Sequence, residues 1–215
     1  MRVLRVSLSS WTASFRHPSF MIGFQPTLPV PPLSTMFGLV SAAKGEYVNL
    51  SHTPIGYSFS YEGKGIDLER IFEIGPGLIP KTNILRREFL YDTRLTLYLD
   101  LNFKDSFQKP KYPLLMGRSS DLVRIDEFKE VDIKEQSGGH IGPGIFSSFP
   151  EGCKQMVICA LPVYFTDEIP RKAVGSRKFF LVEEPFNTTD DYWFDEEKQM
   201  GFQLYTEDNL DLQGV

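Results

Sequence analysis

Hydrophobic and polar residues alternate along several stretches of the chain, a pattern that is typical of strands with one buried face. The alternation begins almost at once, because Leu4, Val6 and Leu8 are separated by polar residues. It is clearest in the segment RLTLYLDL, where every second residue from 95 to 101 is leucine. Both segments are therefore predicted to be strands that place one row of side chains in a hydrophobic core.

A different period marks a helix in the segment LSTMFGLVSAAKG, residues 33–45. Its apolar residues recur at helical spacing and share one face: Met36, Leu39, Val40 and Ala43. Ser34 or Thr35 is expected to cap the start of this helix, and Gly45 is expected to end it. The chain is therefore predicted to open with a strand, a long Pro-rich loop and a helix.

A hairpin is predicted next, because apolar and small residues alternate from Ile55 to Tyr61 and the sequence EGKG at 62–65 supplies turn residues. The later part of the chain is predicted to contain a helical turn, three strands and a glycine-rich loop. The turn is placed at 118–122, the strands at 125–133, 156–165 and 178–183, and the loop at 137–144.

The order strand, helix, strand, strand, short helix, strand predicts an α+β fold, with a ferredoxin-like (RRM-type) sheet and helices on one face. A long hairpin is inserted between the second and third strands of this sheet. Residues 1–135 are assigned to this core, and residues 136–215 to a small β-rich extension with an acidic tail.

The net charge of −5 is unevenly distributed. From Glu183 to Val215 there are ten acidic residues and one lysine, whereas the preceding 182 residues have 22 basic and 18 acidic groups, a balance of +4. The body of the chain is thus mildly basic, which is compatible with a nucleic-acid ligand.

The two cysteines, Cys153 and Cys159, are too few for a disulfide framework. No apolar stretch approaches the roughly 18 residues that cross a bilayer, and the start of the chain lacks the apolar block of a signal peptide. We therefore expect a cytoplasmic protein with no membrane association. Histidines in metal-ligand spacing and phosphate-binding glycine motifs are also missing, so we expect no cofactor, no metal and no catalytic residue.

Three groups of residues are candidates for binding phosphate. The start of the predicted helix, with Ser34, Thr35 and the internal Gly38, is either an anion site or a plain capped helix with a packing glycine. Arg86 and Arg87 precede an aromatic residue, and Arg118 lies between Gly117 and Ser119. Arginines beside aromatics suit phosphates and stacked bases, although each signal alone is also typical of a solvated surface.

Taken together, several segments resemble the Cas-five family of CRISPR-associated proteins, which belongs to the RAMP superfamily. Ser14-Phe15-Arg16 followed by PTLPVPPLSTMFGLVSAAKG, residues 26–45, is similar to the opening of that family. RREFLYD at 86–92 resembles the segment that returns from the family's thumb hairpin, and YPLLMGRS at 112–119 resembles its Gly-Arg-Ser element. These segments lie within roughly the first 120 residues.

The resemblance implies a non-catalytic subunit of a type I Cascade surveillance complex that binds the 5′ handle of the crRNA and supports recognition of target DNA. It also implies contacts with the Cascade backbone subunit and large subunit. Carried over by position, the implied RNA contacts are Phe15, Arg16, Ser34, Thr35, Gly38, Gly117, Arg118 and Ser119. The resemblance also implies that the inserted hairpin is the family's thumb, at about 62–88, with Lys81, Arg86 and Arg87 as its basic residues.

Two other functions remain open at this stage. One is a metal-independent endoribonuclease that cleaves CRISPR repeat RNA, for which Tyr57, Lys111 and His140 would have to meet in space. The other is a structural protein that does not contact RNA.

Overall fold

We describe a computed structural model of the chain, which covers residues 1–20, 23–74 and 80–210. In chain order its elements are β1 (Arg2–Ala13), β2 (Phe24–Gln25), α1 (Leu33–Lys44), β3 (Ile55–Ser60), β4 (Gly63–Ile74), β5 (Pro80–Leu99), a 3-10 turn (Leu101–Phe103), α2 (Lys104–Gln108), β6 (Val123–Ile141), β7 (Gly144–Phe146), β8 (Val157–Leu161), β9 (Tyr164–Phe165), β10 (Ala173–Val174), β11 (Arg177–Val182), β12 (Phe186–Asp195), β13 (Met200–Phe202), β14 (Leu204–Tyr205) and a second 3-10 turn (Asp208–Leu210).

The centre of the protein is an antiparallel sheet with the strand order β6-β1-β5-β3. The alternating leucines of β1 and β5 lie side by side in it, with Leu4 opposite Leu99 and Leu8 opposite Leu95. α1 follows β1 in the chain, and α2 follows β5. The predicted α+β fold with a dominant sheet is confirmed.

One face of this sheet forms the main core. The leucines of β1 and β5 pack there with the buried side of α1, for example Met36 and Val40, and with Phe107 of α2. The helix lies where the spacing of its apolar residues predicts it, but the residue at its start differs from the prediction. Pro32 is the N-cap residue and no side chain caps the helix, whereas Gly45 ends it in the left-handed conformation at φ 83°, as expected.

The opposite face of the sheet is partly covered by the end of the chain. The ring of Phe202 stacks on Tyr98 of β5, with 3.8 Å between the centroids. Beside this pair, Asp195 of β12 accepts a hydrogen bond from Arg5 of β1 at 2.9 Å. The acidic tail is therefore partly folded onto the sheet.

A long hairpin of β4 and β5 extends from the core, paired from Gly63 opposite Tyr91 to Ile74 opposite Pro80. The predicted turn at 62–65 is wrong, because β3 and β4 each pair with β5 and not with one another. Gly63 and Gly65 are strand residues. A side chain at either position would overlap the rings of Tyr91 and Phe89, so these glycines allow the two rings to lie across the strand.

Three further predictions in the later part of the chain are wrong. Residues 118–122 form a tight turn, and the short helix lies earlier as α2. The supposed loop 137–144 is largely β6, which pairs with β12 through a register shift near positive-φ residues Gly138 and Gly139. The single strand at 156–165 is two short strands, β8 and β9.

The predicted boundary between the core and the C-terminal extension, between residues 135 and 136, lies inside β6. This strand pairs with β1 in the central sheet and with β12 in the extension, so the two parts share an element. Within the described ranges, neither helix has the length and apolar character needed to cross a bilayer.

Candidate nucleic-acid interface

Three segments that are far apart in the sequence meet where the β4–β5 hairpin joins the core. Ser14, just after β1, donates from its backbone N–H to the Met116 carbonyl at 3.0 Å and from its hydroxyl to the Glu88 carbonyl at 3.3 Å. We call this region the hairpin base and define it by residues 14–16, 86–89 and 117–119. All three segments contain residues predicted to bind RNA.

Gly117 makes this meeting sterically feasible. Its φ of 119° favours glycine, and a Cβ there would overlap the Ser14 carbonyl oxygen. Gly117 therefore allows its backbone to approach that of Ser14 closely, and this contact positions the segment that contains Arg16.

Arg118 is held by carboxylates and is not presented to a ligand. Its guanidinium contacts Asp67 and Glu69 of β4, each at 3.1 Å, and Asp121 at 3.3 Å. Burial alone would lower the pKa of Arg118, but the hydrogen bonds to these carboxylates outweigh burial and raise it. Only 16% of the side chain is exposed. The predicted phosphate contact through Arg118 is corrected to a structural role, because three anions already satisfy its charge.

The two arginines of β5 point to opposite faces of the hairpin, as successive strand residues must. Arg87 pairs with Glu69 at 2.9 Å and joins the same internal network. Arg86 is exposed and lies 5.9 Å from the ring centroid of Phe24, itself partly exposed. Arg86 and Phe24 therefore form a basic and aromatic pair that faces solvent.

The other hairpin-base residues differ in their availability. Phe15 is 2% exposed and packs edge-on against Phe59 at 5.4 Å, so its ring belongs to the core and cannot stack on a base. Arg16 is exposed and forms a backbone bridge with Thr27. Ser119 is exposed in the tight turn. Lys81 lies in β5 opposite Glu73, and its side chain falls outside what the structure describes.

The three candidates in α1 lie elsewhere. Two N–H groups of the first turn, including that of Thr35, donate to the Pro32 carbonyl and are thereby satisfied. Ser34 and Gly38 line a separate groove of about 470 Å³ between α1 and the segment 164–171. Gly38 is exposed, and a Cβ there would meet nothing within 4 Å, so it is not a packing glycine.

The residues of the endoribonuclease alternative are not brought together. The Tyr57 hydroxyl is buried and donates to the Pro31 carbonyl, and burial raises the pKa of Tyr57 well above its usual value. Lys111 packs over Gly45, and His140 lies in β6 beside Asn187 at 3.3 Å. Within the part of the chain that the structure describes, no group of histidine, cysteine and acidic residues could hold a metal ion.

The residues that sequence reasoning missed are the acidic partners of Arg118. Asp67 and Glu69 alternate along β4 and so share one face of the hairpin. That alternation was visible in the sequence, but their partner lies 51 and 49 residues away. Phe24, the other missed residue, lies in a two-residue strand beside β5 and gives no periodic signal.

The sequence matches no protein-family model and no curated protein. Solved structures share its fold. A chain of a CRISPR RNA-guided surveillance complex aligns with a TM-score of 0.57 at 13% identity, over 88% of this chain and 91% of that chain. A chain of the type III-B Cmr-beta complex bound to cognate target RNA aligns with a TM-score of 0.51 at 11% identity, over 87% and 86%.

A third structure, a CRISPR protein from Archaeoglobus fulgidus, aligns with a TM-score of 0.50 at 10% identity, over 94% of this chain and 99% of that one. Identities this low establish the fold alone. The chain thus has a sheet-rich α+β fold of the kind found in CRISPR-associated proteins.

Proposed function

We propose that this chain is a non-catalytic subunit of a CRISPR effector complex and that it binds guide RNA at the hairpin base. The observation that carries the proposal is the meeting of residues 14–16, 86–89 and 117–119, each of which is part of a segment that resembles the Cas-five family. Two of the structures with the same fold are chains of an RNA-guided complex and of a complex bound to RNA.

The finer assignment is to the Cas-five family, with a ferredoxin-like (RRM-type) core. The element order β1-α1-β3-β5-α2-β6 and the strand order β6-β1-β5-β3 support that core. The β4–β5 hairpin, inserted in the middle of this pattern, would then be the thumb.

The RNA-binding surface is the outer face of the hairpin near its base. In the β4–β5 register, Arg70 and Arg86 share this face with three exposed apolar residues, which are Ile66, Leu68 and Ile84. Nearer the core the same face has Glu88 and Lys64, and Lys64 pairs with Glu183 at 3.3 Å. Phe24 continues the face beside Arg86. Lysine and arginine suit phosphates, and flat or apolar side chains suit unstacked bases, so this face can bind single-stranded RNA without metal.

Within such a complex the ligand is the 5′ handle of the crRNA. The neighbours are the Cascade backbone subunit and large subunit, with target DNA held by the assembly and the whole located in the cytoplasm. The 182 residues before the acidic tail have a net charge of only +4. This charge is sufficient for the role, because neighbouring subunits also contact the negatively charged RNA.

The test is to mix purified protein with labelled CRISPR repeat RNA in EDTA, and to follow retention and cleavage on gels. We expect retention of intact RNA. We expect the double variant Arg16→Gln/Arg86→Gln to bind roughly tenfold more weakly, because each lost charge-assisted contact costs on the order of 1 kcal/mol.

The matched control is Arg94→Gln/Arg124→Gln, which removes two exposed arginines from the outer face of the central sheet and changes the net charge equally. This control should retain wild-type affinity. Equal weakening of both double variants would contradict the hairpin base as the specific site, and specific cleavage in EDTA would contradict a non-catalytic role.

A further inference from the structure

A second candidate binding site lies in the C-terminal extension, between β12 and the segment that follows β7. It is a cavity of about 370 Å³, within the size range of pockets that hold a small group or a side chain. Its lining includes the aromatic residues Phe149 and Trp193, whereas Tyr192 is 5% exposed and its ring lies against Gly201. Phe149 is 60% exposed, so much of its side chain is open to solvent at the edge of the pocket.

The polar part of this pocket carries one sign of charge. Four carboxylates line it, and they belong to Glu135, Glu151, Asp190 and Asp191. No lysine, arginine or histidine is among the described lining residues, and none of the four carboxylates forms an ion pair with another described residue. The pocket therefore has a concentrated negative potential that no described cation neutralises through an ion pair.

Three of these four acidic residues are positioned by hydrogen bonds. Asp190 accepts a hydrogen bond from the Glu151 N–H at 3.1 Å, and the Thr189 hydroxyl donates to the Glu151 carboxylate at 3.2 Å. The Ser137 hydroxyl donates to Asp191. Glu151, Asp190 and Asp191 are thus held by neutral hydrogen-bond donors.

The acidic residues at 195–197, which follow the pocket residues in the chain, differ because they form ion pairs within the fold. Asp195 pairs with Arg5, Glu196 with Lys134, and Glu197 with Lys129. The acidity of the extension is therefore divided. One part is neutralised within the fold, and the other surrounds an aromatic cavity.

We propose that this pocket binds an arginine or lysine side chain from a basic segment of a partner protein. Aromatic rings attract a cation through their faces, and nearby carboxylates add charge-assisted hydrogen bonds. The same carboxylates repel phosphate, so the pocket excludes RNA and is separate from the hairpin base. This inference does not depend on the proposed RNA-binding function.

Because Trp193 lines the pocket, its fluorescence can report peptide binding directly. The chain has two tryptophans, and the other, Trp11, is 88% exposed on β1, so Trp11→Phe leaves Trp193 as the sole tryptophan in a folded protein. The probe is the peptide acetyl-Ala-Arg-Leu-Arg-Ala-amide, titrated while Trp193 fluorescence is recorded. We expect a saturable change that weakens with salt, and a response at least fivefold weaker for the same peptide with citrulline in place of arginine.

The variant Glu135→Gln/Glu151→Gln, made in the Trp11→Phe protein, should lose peptide affinity by about tenfold, since each exposed ion pair is worth up to about 1 kcal/mol. The matched control is Asp132→Asn, which removes an exposed carboxylate from the same strand outside the pocket and should retain affinity. RNA retention should be unchanged in both. Equal responses to the arginine and citrulline peptides, a response to RNA in place of the peptide, or a concentration-dependent change without peptide would each overturn the proposal.

Discussion

Single residues decide how the two ends of the chain are joined. Arg5 and Asp195 are both buried on the outer face of the central sheet, and Asp195 is 1% exposed. Its carboxylate also accepts a hydrogen bond from the Tyr98 hydroxyl at 2.9 Å. A buried ion is stabilising only while its partners are present, because an unpaired buried charge is costly.

The variant Arg5→Met should therefore lower the free energy of unfolding by about 3 kcal/mol, since it leaves Asp195 buried without its cation. Arg2→Met is the matched control on the same strand, because Arg2 pairs at the surface with Glu130 at 2.9 Å. It should cost less than about 1 kcal/mol. Urea denaturation of both variants tests the difference, and equal losses would contradict a special role for the buried pair.

The same carboxylate makes stability depend on pH. Burial alone would raise the pKa of Asp195, but the hydrogen bonds from Arg5 and Tyr98 outweigh it, and the pKa lies below its usual value. The folded protein therefore binds this proton less readily than the unfolded chain. The stabilisation is complete above about pH 4 and is lost as pH falls through the folded pKa.

We expect the free energy of unfolding to fall as the pH is lowered from about 4 to about 3, and to fall less steeply in Asp195→Asn, which has no charge to lose at this position. Urea denaturation across this range measures both slopes. Identical slopes in the two proteins would assign the acid sensitivity to other groups.

At the scale of elements, glycines set the close approaches around the hairpin. Gly117 allows the Ser14 carbonyl to lie against the backbone, whereas Gly38 in α1 has open space around it. The same substitution at the two positions should therefore act in opposite directions.

Gly117→Ala should lower the free energy of unfolding by about 2 kcal/mol, because it combines a positive φ with overlap at Ser14. Gly38→Ala should raise it by about 1 kcal/mol, the usual gain from alanine in a helix interior. Thermal and urea unfolding measure both. Stabilisation by Gly117→Ala would contradict the described packing of the hairpin base.

The helices and strands also show which parts of the fold could be predicted from the sequence. The strand containing Leu95 and Leu97 and the helix ending at Gly45 were predictable, because their signals are local and periodic. The inserted hairpin was expected, but its start was not, because Gly63 and Gly65 were assigned to a turn after β3. In the structure these glycines lie in β4, under the rings of Tyr91 and Phe89. The strand predicted for β6 ended too early, because Gly138 and Gly139 indicated a loop. In the structure these glycines form an irregularity within a paired strand.

The candidate site was predictable in part. Its three segments were all found in the sequence, yet the roles of individual residues were not. Phe15 and Arg118 share the residue types of RNA contacts, but their neighbours make one a core residue and the other an internal ion-pair partner. Such distinctions depend on tertiary contacts between distant segments, which no local pattern contains.

At the scale of the whole molecule, charge is separated between two regions. Exposed basic residues lie with apolar residues on the outer face of the hairpin, and unpaired acidic residues surround the aromatic pocket of the extension. This separation supports two partners of opposite charge, RNA at the hairpin base and a basic protein segment at the extension.

The most direct test of the central claim is to locate the RNA on the protein. Repeat RNA carrying 4-thiouridine in its 5′ handle is irradiated with the protein in EDTA, and the cross-linked peptides are identified by mass spectrometry. The account predicts cross-links in the peptides that contain Arg16, Phe24 and Arg86. Cross-links confined to the outer sheet face around Trp11 and Arg124, or to the C-terminal extension, would contradict it.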